Sequence, residues 1–508
     1  MRFIPYAIPT GCISTVSRYM AFPKPGEVFA TLGVAASNCA SAFLRFYGEK
    51  FEWPNFLVEN LKSLPWPNVP EPLRGELETL AEKEVSQRRR AYQTHEPFQE
   101  FTAPSMILPS KIETDALAYD ARSLLGSKFE REIALAYGLE TSELSVLERD
   151  LQEALAVRRN KYDAAEDHDN DESDEDEENN DFVLDTSPYA EQEALISYAV
   201  GCGFGRWDIR IACDVSLAPE LPGPFDPLPV CPPGMLIGPD GLPAITNNIV
   251  SEEWLRKRPN AITLPPKNSF RAPSLSDATY PLRVNWDGIL VDDADNPDDI
   301  VRRVREVLEV LWKDRAEAIE RKACKILGVK ELLDYFRKPG QRGFWDDHMS
   351  RYSKSHRKAP IYWLLQSSKK NYALWIYYHR LDKDTLFKAL LNYVEPKIRQ
   401  EEDRLEPLRA QRAAAGSSGK GVKKLEKEIE RQEELISELR DFEDKLCSVA
   451  NLHLEPDFND GVVLNIAPLW ELVPWKEAKK YWEELRDGKY EWSSIGKQLR
   501  QKGIVHSP

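Results

Sequence analysis

Between Asp163 and Asp181 the chain carries twelve carboxylates, and from Tyr162 to Gly205 it has no lysine or arginine. A like-charge block this dense repels itself in any compact state and cannot be buried. The stretch 161–187 is therefore expected to be a disordered, solvated linker. A DNA-mimicking or self-inhibitory role is the alternative reading of the same charge. Without those twelve charges the formal net charge falls from −16 to −4, so the flanks are nearly balanced.

The 508 residues, 42% of them hydrophobic, are enough for roughly three domains. Local patterns predict an α+β, predominantly α-helical fold. Ile13 to Tyr19 reads as a short strand and Val28 to Tyr47 as a helix packed on it. Val28 to Leu44 lacks charge, but Ser, Asn, Thr and Gly dilute it, so it is expected to be buried in protein rather than in a membrane. Phe51 to Pro67 is proline-dense and predicts a strand with an extended exit. Gly75 to Arg90 is helical. Another helix is expected near Leu139 to Leu144, with Thr141 as its cap. Tyr189 to Val200 is helical, Leu217 to Pro281 is mostly loop, and Asp298 to Leu327 has the period of one amphipathic helix. Seven cysteines without a C-x-x-C pair predict reduced thiols in a cytoplasm.

Val394, Ile398, Leu405 and Leu408 follow heptad steps if Glu401 occupies one seam position. After the break at 413–421 the heptad resumes at Val422, Leu425, Ile429, Ile436, Leu439 and Leu446. Such arms predict an antiparallel coiled-coil hairpin, serving as a strut, a spacer or a docking surface.

Few strings suggest chemistry. Gly201-Cys202-Gly203-Phe204-Gly205 has the look of a nucleotide loop, but it follows a helix rather than a strand, which favours a glycine-rich helix end leading to a buried Trp207. The seven histidines lack paired metal-ligand spacing. No D/N-P-P-Y/F loop occurs, the element that grips a flipped amino base, so the chain is expected not to methylate DNA unaided. The positive signal is Tyr335 to Arg380, with ten cations, two acids and interleaved aromatics. Cations at this density suit phosphate contacts, and aromatic or guanidinium planes can stack on bases. The candidate DNA-binding residues are Arg342, Trp345, Arg351, Lys354, His356, Arg357, Lys358, Lys369 and Lys370, centred on the basic turn 351–358. The apolar runs Ile361 to Leu365 and Tyr372 to Ile376 favour core. No catalytic, cofactor-binding or metal residue is predicted.

Gly343-Phe344-Trp345-Asp346-Asp347-His348 and His356-Arg357-Lys358-Ala359-Pro360-Ile361-Tyr362-Trp363-Leu364-Leu365 resemble the C-terminal region of large BREX-type (bacteriophage exclusion, Pgl-type) adenine-specific DNA methyltransferases and their DISARM relatives. Gly203 to Arg210, Asp460 to Leu469, Leu472 to Lys476 and Lys479 to Trp482 look similar to further signatures of that region. Asn38 to Leu44 and Leu61 to Pro67 resemble the tail of a target-recognition domain, of the kind that reads DNA for methyltransferases and restriction specificity subunits. In that family a catalytic domain with an N-P-P-Y motif precedes this point, and this sequence lacks it. The resemblance therefore implies a DNA-recognition part of a phage-defence adenine methyltransferase, from a split or truncated gene or a two-subunit enzyme. Its partners would be double-stranded DNA and a separate catalytic methyltransferase subunit, holding S-adenosylmethionine, or other defence-system proteins, with no membrane. The competing expectation is a non-catalytic scaffold. The domain reading is 1–70 recognition-domain-like, 71–160 helical, 161–187 linker, 188–297 mixed and loop-rich, 298–393 helical and basic/aromatic, 394–448 hairpin, and 449–508 helical.

Overall fold

The computed structural model describes residues 8, 21–24, 26–47, 61–108, 127–163, 185–238, 241–245, 280–354, 357–415 and 420–505. Ile13 to Tyr19, the first part of Phe51 to Pro67 and nearly all of the acidic stretch lie outside them. The chain divides into two compact units, the first of Met1–Thr186, Pro219–Pro233 and Pro259–Thr263, the second of Ser187–Ala218, Gly234–Arg258 and Leu264–Pro508.

In the first unit, the helix expected over Val28 to Tyr47 is two helices, α1 (Val28–Ala35) and α2 (Asn38–Tyr47), bent by 62°. Ser37 makes the break by capping the second: its Oγ accepts from Ala40 N at 3.1 Å, while the Glu130 carboxylate accepts from Asn38 N at 2.9 Å. Helices α3 (Glu71–Tyr92), α4 (Ser127–Ala136) and α5 (Thr141–Asp163) follow among the described residues of the unit. Thr141 is the first helical residue rather than the cap, and the Glu143 carboxylate takes the Glu140 N–H at 2.8 Å. Val34, Leu73, Leu77 and Ile133 form the core, and Cys39, Ala134 and Leu144 a second cluster. The uncharged stretch is thus covered by protein, and among the described residues no single helix is long and apolar enough to cross a membrane.

The second unit is built on an antiparallel three-stranded sheet in the order β1-β5-β4. Its strands are β1 (Ile289–Val291), β4 (Tyr362–Gln366) and β5 (Ala373–Tyr377). Trp363 and Ile289 both pair with Ile376, and β5 is buried along its whole length. Helix α6 (Pro188–Gly203), capped by Ser187, is buried from Leu195 onward and ends in the glycine-rich string. A short α7 (Ile209–Cys213) starts at Asp208.

The expected single helix Asp298 to Leu327 is broken at Lys313, whose φ of 48° lies in the left-handed region. Helix α8 (Ile300–Trp312) folds back against α9 (Ala316–Leu327). Arg305 therefore reaches Glu320 at 2.8 Å, whereas fifteen residues of straight helix would separate them by roughly 22 Å. Helices α10 (Leu332–Arg337) and α11 (Phe344–Arg351) follow, then a two-residue ribbon of β2 (Ser353–Lys354) and β3 (Arg357–Lys358).

After the sheet, α12 (Thr385–Ala389) passes through a π turn, Leu390–Val394, into α13 (Glu395–Ala414). Pro396 offers no N–H and its ring crowds the carbonyl four residues back, and the wider turn accommodates both. Helix α14 (Lys420–Ala450) runs antiparallel to α13, as Arg412–Glu426 (2.6 Å), Arg409–Glu433 (2.8 Å) and Arg440–Glu402 show. Ile398, Leu405, Ile436, Leu439, Phe442 and Leu446 are buried. Helices α15 (Val462–Ile466), α16 (Lys476–Arg486) and α17 (Ser494–Gln501) close the chain around Leu464, Ala467, Leu485, Ile495 and Leu499.

Candidate nucleic-acid interface

The basic ribbon is rooted in the aromatic core by α11. That helix begins at Gly343, where a Cβ would lie 2.2 Å from the Lys338 carbonyl, and buries Phe344, Trp345, His348 and Met349. His348 Nε2 accepts the amides of Ile361 (3.0 Å) and Tyr362 (2.9 Å), fixing the start of β4. Burial, with Arg351 and Arg206 nearby, pushes this imidazole well below its ordinary pKa, so it is neutral with its proton on Nδ1. Tyr352, at the foot of the ribbon, accepts from Arg206 at 2.5 Å, and the guanidinium lies 4.1 Å over the Trp207 ring. Ser353 pairs with Lys358 and Lys354 with Arg357.

The glycine-rich string serves this core. A Cβ at Gly201 would meet the Trp207 ring at 2.4 Å and the Tyr362 hydroxyl at 2.8 Å. Gly205 takes φ 66°, where a side chain would press on Val284. Trp207 is fully buried.

The predicted residues fall into four groups. Trp345 is buried against Trp375, and Arg351 is paired with Glu193 at 2.5 Å with only 10% of its side chain exposed, so both hold the interior together. Arg342 is exposed and stacks 5.2 Å over Tyr189, whose hydroxyl donates to Asp347 alongside that of Tyr335. Lys354, Arg357 and Lys358 come together on the ribbon. His356 lies outside the described residues, as do the side chains of Lys354 and Arg357. Lys358 is half-exposed and pairs with Glu477 on α16 at 2.6 Å.

Lys369 and Lys370 sit at the other end of β4, whose five residues separate them from the ribbon by roughly 17 Å. Their turn is held by Glu438 of α14. This buried carboxylate accepts from Ser367 Oγ (2.6 Å), Lys369 N (2.7 Å), Asn371 N (3.3 Å) and Asn371 Nδ2 (2.7 Å). Burial works to raise its pKa, but these donors hold it below the ordinary carboxylate range. Lys369 Nζ is paired with Glu434 at 2.9 Å, and Lys370 is exposed with φ 63°.

The fold also brings cations to the ribbon that the patch 335–380 did not include. Lys476, Lys479 and Lys480 are exposed on the first turns of α16, on either side of Glu477. Their signal was the string Lys476-Glu477-Ala478-Lys479-Lys480, more than a hundred residues away.

The chain is similar to adenine-specific methyltransferases. It is 31% identical over 199 residues to adenine-specific methyltransferase BrxX of Escherichia coli O9:H4 (strain HS), and 31% identical over 125 residues to adenine-specific methyltransferase PglX of Lacticaseibacillus casei (strain Zhang). These stretches are 37% and 24% of the chain, and they span 16% and 10% of the two relatives. No family model matches. The chain is a relative of the BREX/Pgl-type enzymes, covering a small part of their length.

Proposed function

We propose that this chain is a DNA-recognition part of an adenine-specific methyltransferase in a phage-defence system, and that the ribbon 353–358 meets the duplex. A separate S-adenosylmethionine-dependent subunit would carry out methyl transfer to a flipped adenine. The observation that carries this reading is a short cationic ribbon, rooted in a rigid aromatic core, in a relative of two adenine-specific methyltransferases. A ribbon of this kind can follow phosphates, while a buried core fixes its direction. The helices α13 and α14, taken as a coiled-coil hairpin, would space or dock the catalytic partner.

The test is duplex binding as a function of salt. Arg357→Glu with Lys358→Glu should weaken binding at least tenfold and lower the salt slope by about 2, near 0.9 per lost phosphate contact. Unchanged affinity in a folded double variant rejects the ribbon as a contact. Salt-insensitive capture of defence proteins without DNA favours the scaffold. Pull-down followed by methylation assays, with and without the co-purified subunit, tests the division of labour.

A further inference from the structure

We propose that the first turns of α16 extend the duplex-binding surface of the ribbon, with Lys476 and Lys480 as additional phosphate contacts and Glu477 as an internal competitor for Lys358. This inference rests on the ribbon being a DNA contact.

The connection is the Lys358–Glu477 pair. It links residues 119 apart in sequence, with Nζ to Oε1 at 2.6 Å, and sets β3 beside the N-terminal turn of α16. Lys476 and Lys480 are four residues apart, hence on one face of the helix, and both are exposed. Lys479 is partly engaged, 5.0 Å over the Trp470 ring and 3.9 Å from Glu483. The positive end of the helix dipole adds to the local field.

The carboxylates around this surface are Glu477, Glu483, the exposed Glu471, Glu484, which feels the Lys480 charge but is already bound by Lys489 and Tyr490, and, on the ribbon side, Asp346, which feels the Lys358 charge. Of these, Glu477 contacts a ribbon lysine. Burial acts to raise its pKa, yet Lys358 holds it below the ordinary carboxylate range, so it is charged at neutral pH. The pair is half open to water, with side-chain exposures of 42% and 45%. A phosphate approaching Lys358 therefore meets a carboxylate already there, and removing that charge should help it.

The experiment is fluorescence-anisotropy titration of the full chain with a short DNA duplex across a salt series. Four variants are compared: Lys476→Gln with Lys480→Gln, Glu477→Gln, the ribbon double reversal, and Lys322→Gln with Lys325→Gln on α9 as an equal-charge control. The α16 double variant should bind several-fold more weakly than wild type and the control, with the salt slope reduced by roughly 2. Glu477→Gln should bind several-fold more tightly at an unchanged melting temperature.

An α16 double variant that matches the control overturns the extension while the ribbon reversal still abolishes binding. Glu477→Gln binding no tighter than wild type overturns the competitor role. Absence of salt-sensitive duplex binding by the wild-type chain overturns both this inference and the function it rests on.

Discussion

Two cationic turns flank β4, and they are held in opposite ways. The turn Ser367 to Asn371 is organised around the buried Glu438, which receives two backbone amides and two side-chain donors. Its lysine at 369 is already matched by Glu434. The ribbon 353–358 has only two residue pairs, and its described tertiary ion pair is the half-exposed Lys358–Glu477. Both turns contribute equally to a sequence count of cations. Under the proposed function this contrast favours the ribbon as the DNA contact: its one described side-chain pair, Lys358–Glu477, is half open to water, whereas the other turn is tied to α14 through Glu438.

The largest effect expected from this contrast is on Glu438→Ala. Four donors lose a buried acceptor, and unfolding in denaturant should show a loss of about 3 kcal/mol. Amide exchange at Lys369 and Asn371 should be slow in wild type and fast in the variant, while the ribbon amides are fast in both. Equal protection in the two turns would erase the contrast.

The root of the ribbon gives a pH signature. His348 stays neutral when folded, while the unfolded chain takes up a proton near pH 6.5, so the unfolded state binds more protons below that pH. Stability is then fully present above about pH 6.5 and falls by roughly 1.4 kcal/mol per pH unit below it. His379, lowered by burial and by Arg206 to about 4, adds in the same direction between 6.5 and 4. His348→Gln should therefore reduce the slope of stability against pH by about half, and an unchanged slope would show that His348 protonates without cost.

The smallest effect belongs to Lys358→Gln. Loss of a half-exposed pair should change stability by about 0.5 kcal/mol or less, measured by the same denaturant titration, even where DNA affinity falls.

Much of the helical framework was legible in sequence, because its stripes and caps are local. The helix around Gly75 to Arg90 and the one after Ser187 are where periodicity puts them. The break at Lys313 was not legible, since the apolar period continues through it and a lysine gives no hint of a left-handed backbone. The strands Tyr362–Gln366 and Ala373–Tyr377 are buried nearly throughout, so the alternation that marks a half-exposed strand is missing. Gly201 imitated a phosphate loop because a glycine serves close approach of any kind, and here the approaching groups include Tyr362, far along the chain. For the candidate site the limit was partnership. Glu193 is 158 residues from Arg351 and Glu477 is 119 from Lys358, so no local reading could tell a neutralised cation from an available one.

Glu401 on α13 carries a different consequence. It lies in the apolar seam, 2% exposed, held by Lys397 and Arg404 of its own helix and, across the seam, by Gln432, which donates to its carboxylate at 2.7 Å and its carbonyl at 2.9 Å. Sliding one arm by a heptad would set Leu425 or Leu439 opposite in place of Gln432. A carboxylate oxygen would then face hydrocarbon, at a cost of about 1–3 kcal/mol. The Gln432 amide thus favours the observed alignment of α13 and α14 over one shifted by a heptad, so a contact between two polar side chains sets the register of two otherwise apolar faces.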